Sequence, residues 1–203
     1  MDASLWVPDD PSVPRLETAA SDCRGCELWQ LATQVVFSAG PVRAALMVVG
    51  EQPGDHEDLE GEPFVGPAGR LLDEALTQAG TSREEVYLTN AVKHFRFEER
   101  GKRRIHRKPD VRHISACHPW LEAELDAVTP DVVVALGATA GRAVLGRPVR
   151  IGAERGLLQE AGSRQVVVTT HPSAVIRLRG RDGYDAGLAA LVADLRVAVA
   201  ALS

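Results

Sequence analysis

Four short apolar runs rich in β-branched residues constrain this chain most: "ALMVVG" (45–50), "VYLTN" (86–90), "DVVVALG" (131–137) and "QVVVTT" (165–170). They are continuous rather than alternating, the pattern of strands covered on both faces. Between them lie segments of helical period. In "GPAGRLLDEALTQAG", Leu71, Leu72, Ala75, Leu76 and Ala79 share one face, and "CHPWLEAELDAV" and "GATAGRAVLG" follow. The chain closes with Leu188, Leu191, Val192, Leu195, Val199 and Leu202 at the same spacing. Strands alternating with helices imply right-handed crossovers and a parallel sheet between two helical layers. The expected architecture is therefore a three-layer α/β/α fold around a central four-stranded parallel sheet. At 203 residues there is room for one such domain. Residues 1–18 are expected to form an N-terminal extension and residues 19–203 the domain.

Every strand of such a sheet delivers its carboxyl end to one edge, where α/β proteins bind ligands. Three polar loops converge there: "GEQPGDHEDLEGEPFVG", "NAVKHFRFEERGKRRIHRKP" and "HPSAVIRLRG". The second is long for a compact domain, and residues 98–110 within it form a basic insertion. The chain carries a net charge of −5, yet nine Lys or Arg stand against three acids between Lys93 and Arg112. A smaller basic group occupies 177–181. Such patches on an acidic body suit a polyanion held at one face; on charge alone a solvated loop is an equal alternative. No apolar run approaches the roughly 20 residues that span a bilayer, and the acidic, proline-bearing N-terminus lacks the features of a signal peptide. A cytoplasmic monomer without membrane contact is expected. Three cysteines make a poor disulfide framework and suit metal ligation in a reducing compartment.

The motifs narrow the function. "GEQPGDHEDLEGEPFVGPAGRLL", "TNAVKH" and "HPS", with Cys23-x2-Cys26 and the late cysteine of "ACHPWL", resemble the iron–sulfur uracil-DNA glycosylases of family 4 from about residue 20 onward. Two departures, Gln52 after Glu51 and the inserted "KRRIHRKP", resemble the UdgX branch, whose members become covalently linked to uracil-containing DNA. The resemblance implies a [4Fe-4S] cluster held by Cys23, Cys26, Cys117 and, in place of a fourth thiolate, His94; imidazole replaces thiolate at other iron–sulfur irons. His113 and His118 are alternatives to His94 as the fourth ligand.

The resemblance also implies a pocket for a uracil extruded from DNA, with free uracil as product. Phe64 stacks on the base, or else packs in the core. Asn90 reads the O4 and N3–H edge, or else ends its strand as a turn residue. Backbone amides around Gln52 and Asp55 add contacts. His171 donates to uracil O2 as negative charge builds, and Glu51 stabilises the sugar cation. His106 is implied to be the nucleophile that attacks deoxyribose C1′, with Glu51 holding the opposite ring N–H. Otherwise it contacts phosphate among its arginine neighbours. Lys102, Arg104, Arg107 and Arg179 are candidate phosphate ligands; Arg104 and Arg107 are equally candidates to brace the loop against Glu51 or Asp55. With no aromatic wedge beyond the motifs, single-stranded DNA is the expected substrate. Three functions stay open: a glycosylase that traps itself on DNA, a multiple-turnover uracil-DNA hydrolase, and a non-catalytic uracil sensor.

Overall fold

The computed structural model describes residues 2–202; Met1 and Ser203, the outer ends of the two expected segments, lie outside the described residues. In chain order the elements begin with α1 (Val13–Ala20), β1 (Ser38–Ala39), β2 (Leu46–Gly50), α2 (Asp55–Glu60), α3 (Pro67–Ala79) and β3 (Val86–Asn90). A hairpin of β4 (Phe97–Arg100) and β5 (Arg103–His106) precedes α4 (Val111–Val128), β6 (Val132–Leu136) and α5 (Gly137–Leu145). The chain ends with α6 (Ile151–Glu154), β7 (Leu158–Ala161), β8 (Arg164–Thr169), α7 (Pro172–Ile176) and α8 (Tyr184–Ala200).

The main sheet runs β1-β3-β2-β6-β8-β7. The four apolar runs are its inner strands and pair in parallel, with Leu46 opposite both Val86 and Val132, and Val132 opposite Gln165. The expected four-stranded parallel sheet is nevertheless incorrect. The sheet has six strands and is mixed, because β1 and β7 add antiparallel at its edges. Their sequences hide them for a physical reason: an edge strand needs one partner and need not be covered on both faces. β1 is two residues long, and β7 is the half-polar stretch Leu158-Gln159-Glu160-Ala161.

Alternation along the inner strands divides the core. Met47, Val49, Tyr87, Val133, Ala135, Val166 and Val168 face Trp120 and Leu121 of α4 and Ala140 of α5. Leu46, Val48, Val86, Leu88, Val132, Val134 and Val167 face Leu72, Ala75 and Leu76 of α3 and Leu191 and Leu195 of α8. Leu72 is fully buried, so truncating it to alanine costs about 2–5 kcal/mol. Ala3, Val13 and Leu16, from the expected N-terminal extension, join the α4 side of the core.

The basic insertion is a hairpin of its own. Two residues, Gly101 and Lys102, connect its strands, with Arg100 opposite Arg103. Gly101 has φ 62°, the left-handed first position of a type II′ turn, which matches the twist of an antiparallel pair. At the open end, the Arg107 N–H donates to Arg96 O at 2.9 Å.

Candidate active site

The three loops meet around a cavity of about 660 Å³, the size of a small-molecule site. Glu51, Gln52, Phe64, Asn90, His106 and His171 all line it. Three of these stand where inner strands end: Glu51 directly after β2, Asn90 at the end of β3, and His171 two residues after β8. Parallel register places them together, since Gly50 pairs with Asn90. Gly50 is obligatory here: a Cβ on it would stand 2.2 Å from Asn90 Oδ1 and 2.7 Å from Phe64 Cζ. The Phe64 ring and the Asn90 amide thus share the space above one missing side chain. Asn90 is buried, and among the described residues its amide makes no hydrogen bond, leaving its donor and acceptor to the cavity.

His171 caps α7. Its Nδ1 accepts the Ser173 N–H at 3.1 Å, and Ser173 Oγ lies 2.9 Å from the same nitrogen. Burial, with help from His106 and Arg177, lowers its pKa to about 4. The ring is therefore neutral at physiological pH, and with Nδ1 occupied as an acceptor its proton sits on Nε2. Glu51 accepts a hydrogen bond from Thr139 Oγ1 and keeps its other oxygen, Oε1, 3.8 Å from His106 Nε2.

His106 ends β5. Arg104 and His106, two apart on a strand, project from one face. Arg104 Nη1 donates to Asp58 Oδ2 and its Nε lies against Asp55 Oδ1, both at 2.6 Å. Its guanidinium also covers Phe97 at 5.1 Å and Phe95 at 5.6 Å. Gln52 supplies the second clamp. Its Oε1 accepts the Arg96 N–H at 3.2 Å, which orients the amide; its Nε2 then faces Arg96 O and Arg107 O at 3.1 Å and His106 Nε2 at 3.0 Å. The two amide N–H groups are matched by the two carbonyls, so Gln52 fixes the place of the His106 ring and not its tautomer. Burial lowers the His106 pKa, Glu51 opposes the shift and Arg177 adds to it, so the ring favours its neutral form.

Several sequence expectations shift in place or role. Glu51 Oε1 lies 3.8 Å from His106 Nε2, beyond hydrogen-bond distance, so the expected carboxylate–imidazole hydrogen bond is not formed here. The Gln52 side chain grips the hairpin, and the Asp55 side chain is held by Arg104 outside the cavity lining. Of the expected phosphate ligands, Arg104 is occupied by Asp55 and Asp58, and Arg107 pairs with Glu98. Arg179 is exposed beside Tyr184, whereas Arg177, two residues earlier, lines the cavity. Lys102 and Arg103 stand exposed by the hairpin turn. The sequence reasoning missed Glu57, a buried carboxylate in the cavity wall that accepts the Gly54 N–H at 3.0 Å and the Gly66 N–H at 2.9 Å. It also missed Thr139 and Arg177. The signal for Glu57 was the "GDHE" capping pattern at the start of α2.

The three cysteines are unpaired, and Cys23 and Cys117 are buried. Trp120 Nε1 donates to Cys23 Sγ, and the Lys93 N–H donates to Cys117 Sγ, each at 3.3 Å. Burial pushes the Cys117 thiol up to about 12, and Cys26 and Cys23 lie near enough to add to the shift. A thiolate there needs a cation to sustain it. His94 is buried and among the described residues its ring makes no hydrogen bond; burial first, then Arg24 between the cysteine pair, lowers its pKa to about 4. The alternatives are committed elsewhere. His113 Nδ1 accepts the Asp110 N–H and its Nε2 meets Glu27 Oε1 at 2.9 Å, while His118 pairs with Glu122 at 3.3 Å. No three His, Cys, Asp or Glu side chains among the described residues converge on a single-ion site. A multi-iron cluster spaces its ligands more widely, and sulfurs receiving N–H donors, together with a neutral imidazole, fit its donor set.

Comparison with known proteins gives the family. The Uracil DNA glycosylase superfamily matches residues 37–196. A Type-4 uracil-DNA glycosylase of Thermotoga maritima is 39% identical over 162 residues, 79% of this chain and 81% of that protein. One of Archaeoglobus fulgidus is 35% identical over 172 residues, 80% of this chain and 83% of that protein. One of Sulfurisphaera tokodaii is 37% identical over 127 residues, 62% of this chain and 54% of that protein.

Proposed function

The chain belongs to the uracil-DNA glycosylase superfamily, and from that premise we propose that it excises uracil from DNA, preferentially single-stranded DNA, and remains covalently attached through His106. Phe64 stacks on the extruded base, the Asn90 amide pairs with its O4 and N3–H edge, and the His171 Nε2–H donates to O2. As the C1′–N1 bond breaks, its electron pair leaves with uracil, where His171 stabilises the anion. The sugar becomes an oxocarbenium ion facing the Glu51 carboxylate. The His106 Nε2 lone pair then forms the C1′–N bond. The resulting imidazolium loses its Nδ1 proton to solvent, and uracil takes up a proton in exchange. A neutral N-alkyl imidazole is a very poor leaving group, so the product persists. The observation that carries the proposal is the place of His106 in the lining of the cavity that also holds Phe64, Asn90 and His171, with its Nε2 3.8 Å from Glu51 Oε1.

Lys102, Arg103 and Arg177 are the cations we assign to DNA phosphates, since each is exposed near the cavity or the hairpin turn. Cys23, Cys26, Cys117 and His94 would hold a [4Fe-4S] cluster, whose contribution is to tie the N-terminal segment to α4 and the loop after β3. Unpaired cysteines suit the reducing cytoplasm. No helix among the described residues is long and apolar enough to cross a membrane.

The test is a denaturing gel after incubation with uracil-containing single-stranded DNA. A shifted band lost in His106→Ala supports the proposal. An alkali-labile abasic site without a shift makes the protein a multiple-turnover hydrolase, and neither product makes it a uracil sensor.

A further inference from the structure

Phe64 is one of two non-glycine residues with positive φ among the described residues, at 59°; the other, Thr129, is the left-handed cap that ends α4. Phe64 ends no helix. Its left-handed backbone brings the ring over Gly50 and beside Asn90. Both carbonyls flanking its Cα accept from one side chain: Arg83 Nη2 donates to Pro63 O at 2.8 Å and Arg83 Nη1 to Phe64 O at 3.1 Å. Glu62 at 3.2 Å and Asp73 at 3.3 Å aim the guanidinium.

The geometry explains why one fork reaches two successive carbonyls. An extended residue turns the carbonyl before it and its own to opposite sides, whereas a helical-type residue of either hand leaves them roughly parallel. A planar guanidinium with paired N–H groups therefore fits Phe64 only in its helical-type conformations. Arg83 lies outside every motif of the sequence and does not line the cavity.

We propose that Arg83 is a positioning residue that keeps the Phe64 peptide out of extended conformations and so sets the ring as the stacking wall for uracil. The stacking role rests on the uracil-DNA glycosylase reading; the conformational role does not.

Two measurements separate them. First, crystal structures of Arg83→Met and Arg83→Lys report the Phe64 φ directly. The expected outcome is departure from the left-handed region, or displacement of the ring from Gly50, in Arg83→Met, with Arg83→Lys nearer to wild type because it keeps one donor. An unmoved Phe64 in both overturns the proposal, whatever the substrate proves to be. Second, inhibition by free uracil is measured in a double-mutant cycle with Phe64→Ala. Loss of charged hydrogen bonds to the loop should weaken uracil about tenfold in Arg83→Met. In the Phe64→Ala background the same change should weaken it less than about twofold. Equal losses in both backgrounds would mean a general structural role and sink the positioning role. Should wild type itself bind no uracil, the functional reading fails, and the φ measurement still decides the conformational one.

Discussion

The cavity has two walls built on different principles. At the sheet edge, Asn90 and Glu51 are fixed by the pairing of Gly50 with Asn90, and His171 by the helix it caps. Moving Asn90 or Glu51 means moving a core strand. The hairpin wall carries His106 on a two-stranded ribbon outside the main sheet, held by Arg104 to Asp55 and Asp58 and by a single amide, Gln52. Under the proposed function the contrast becomes a division of labour: the sheet edge recognises the base and breaks the bond, and the ribbon decides the fate of the sugar cation.

The sharpest way to break this division is to remove the imidazole. His106→Gly should abolish the covalent band entirely while uracil is still released, as measured by uracil chromatography; a variant that loses both would make the ribbon part of the cleavage machinery. Next in size, Asn90→Ala and His171→Ala should slow excision about 10²- to 10³-fold, with adduct formation falling in proportion, in single-turnover kinetics. Arg104→Lys should lower the adduct yield about tenfold and leave excision within about twofold, because it loses the paired contacts to Asp55 and Asp58 that align the ribbon. Since Arg104 is a brace, the salt dependence of binding should match wild type, and a shallower slope would restore it as a phosphate ligand.

The smallest effect concerns pH. Burial and Arg177 lower the His106 pKa, while Glu51 and Glu57 oppose them; His171 also faces the ring across the cavity. Lowering favours the neutral nucleophile, so adduct formation should stay level as pH falls through about 6.5 and decline only below it. Arg177→Gln removes one lowering influence and should move that decline to higher pH. An unchanged profile would show that Arg177 does not act on the ring.

How much of this was legible in the sequence follows the same division. The four inner strands declare themselves, because burial on both faces demands uninterrupted apolar runs, and the strand ends then mark Glu51, Asn90 and His171. The edge strands escape, since Ser38–Ala39 and Leu158–Ala161 meet no such demand. The hairpin reads as a loop because its stability comes from charge pairs and a turn, which leave no apolar period. Gln52 and Arg104 stand in recognisable motifs, yet no sequence pattern says whether an amide or a guanidinium turns toward a ligand or toward its own chain. Glu57 illustrates the same limit, as an acid in a polar helix that folding turns inward to bind two backbone N–H groups.

At its open end the hairpin leaves and rejoins the chain at adjacent points, where the Arg107 N–H donates to Arg96 O and Arg96 Nη1 donates to Lys108 O. Entry and exit are neighbours, so the segment between them can be gained or lost in a single genetic event without shifting β3 or α4. A glycosylase frame built this way can take up a segment in one loop while the strand before it and the helix after it keep their places.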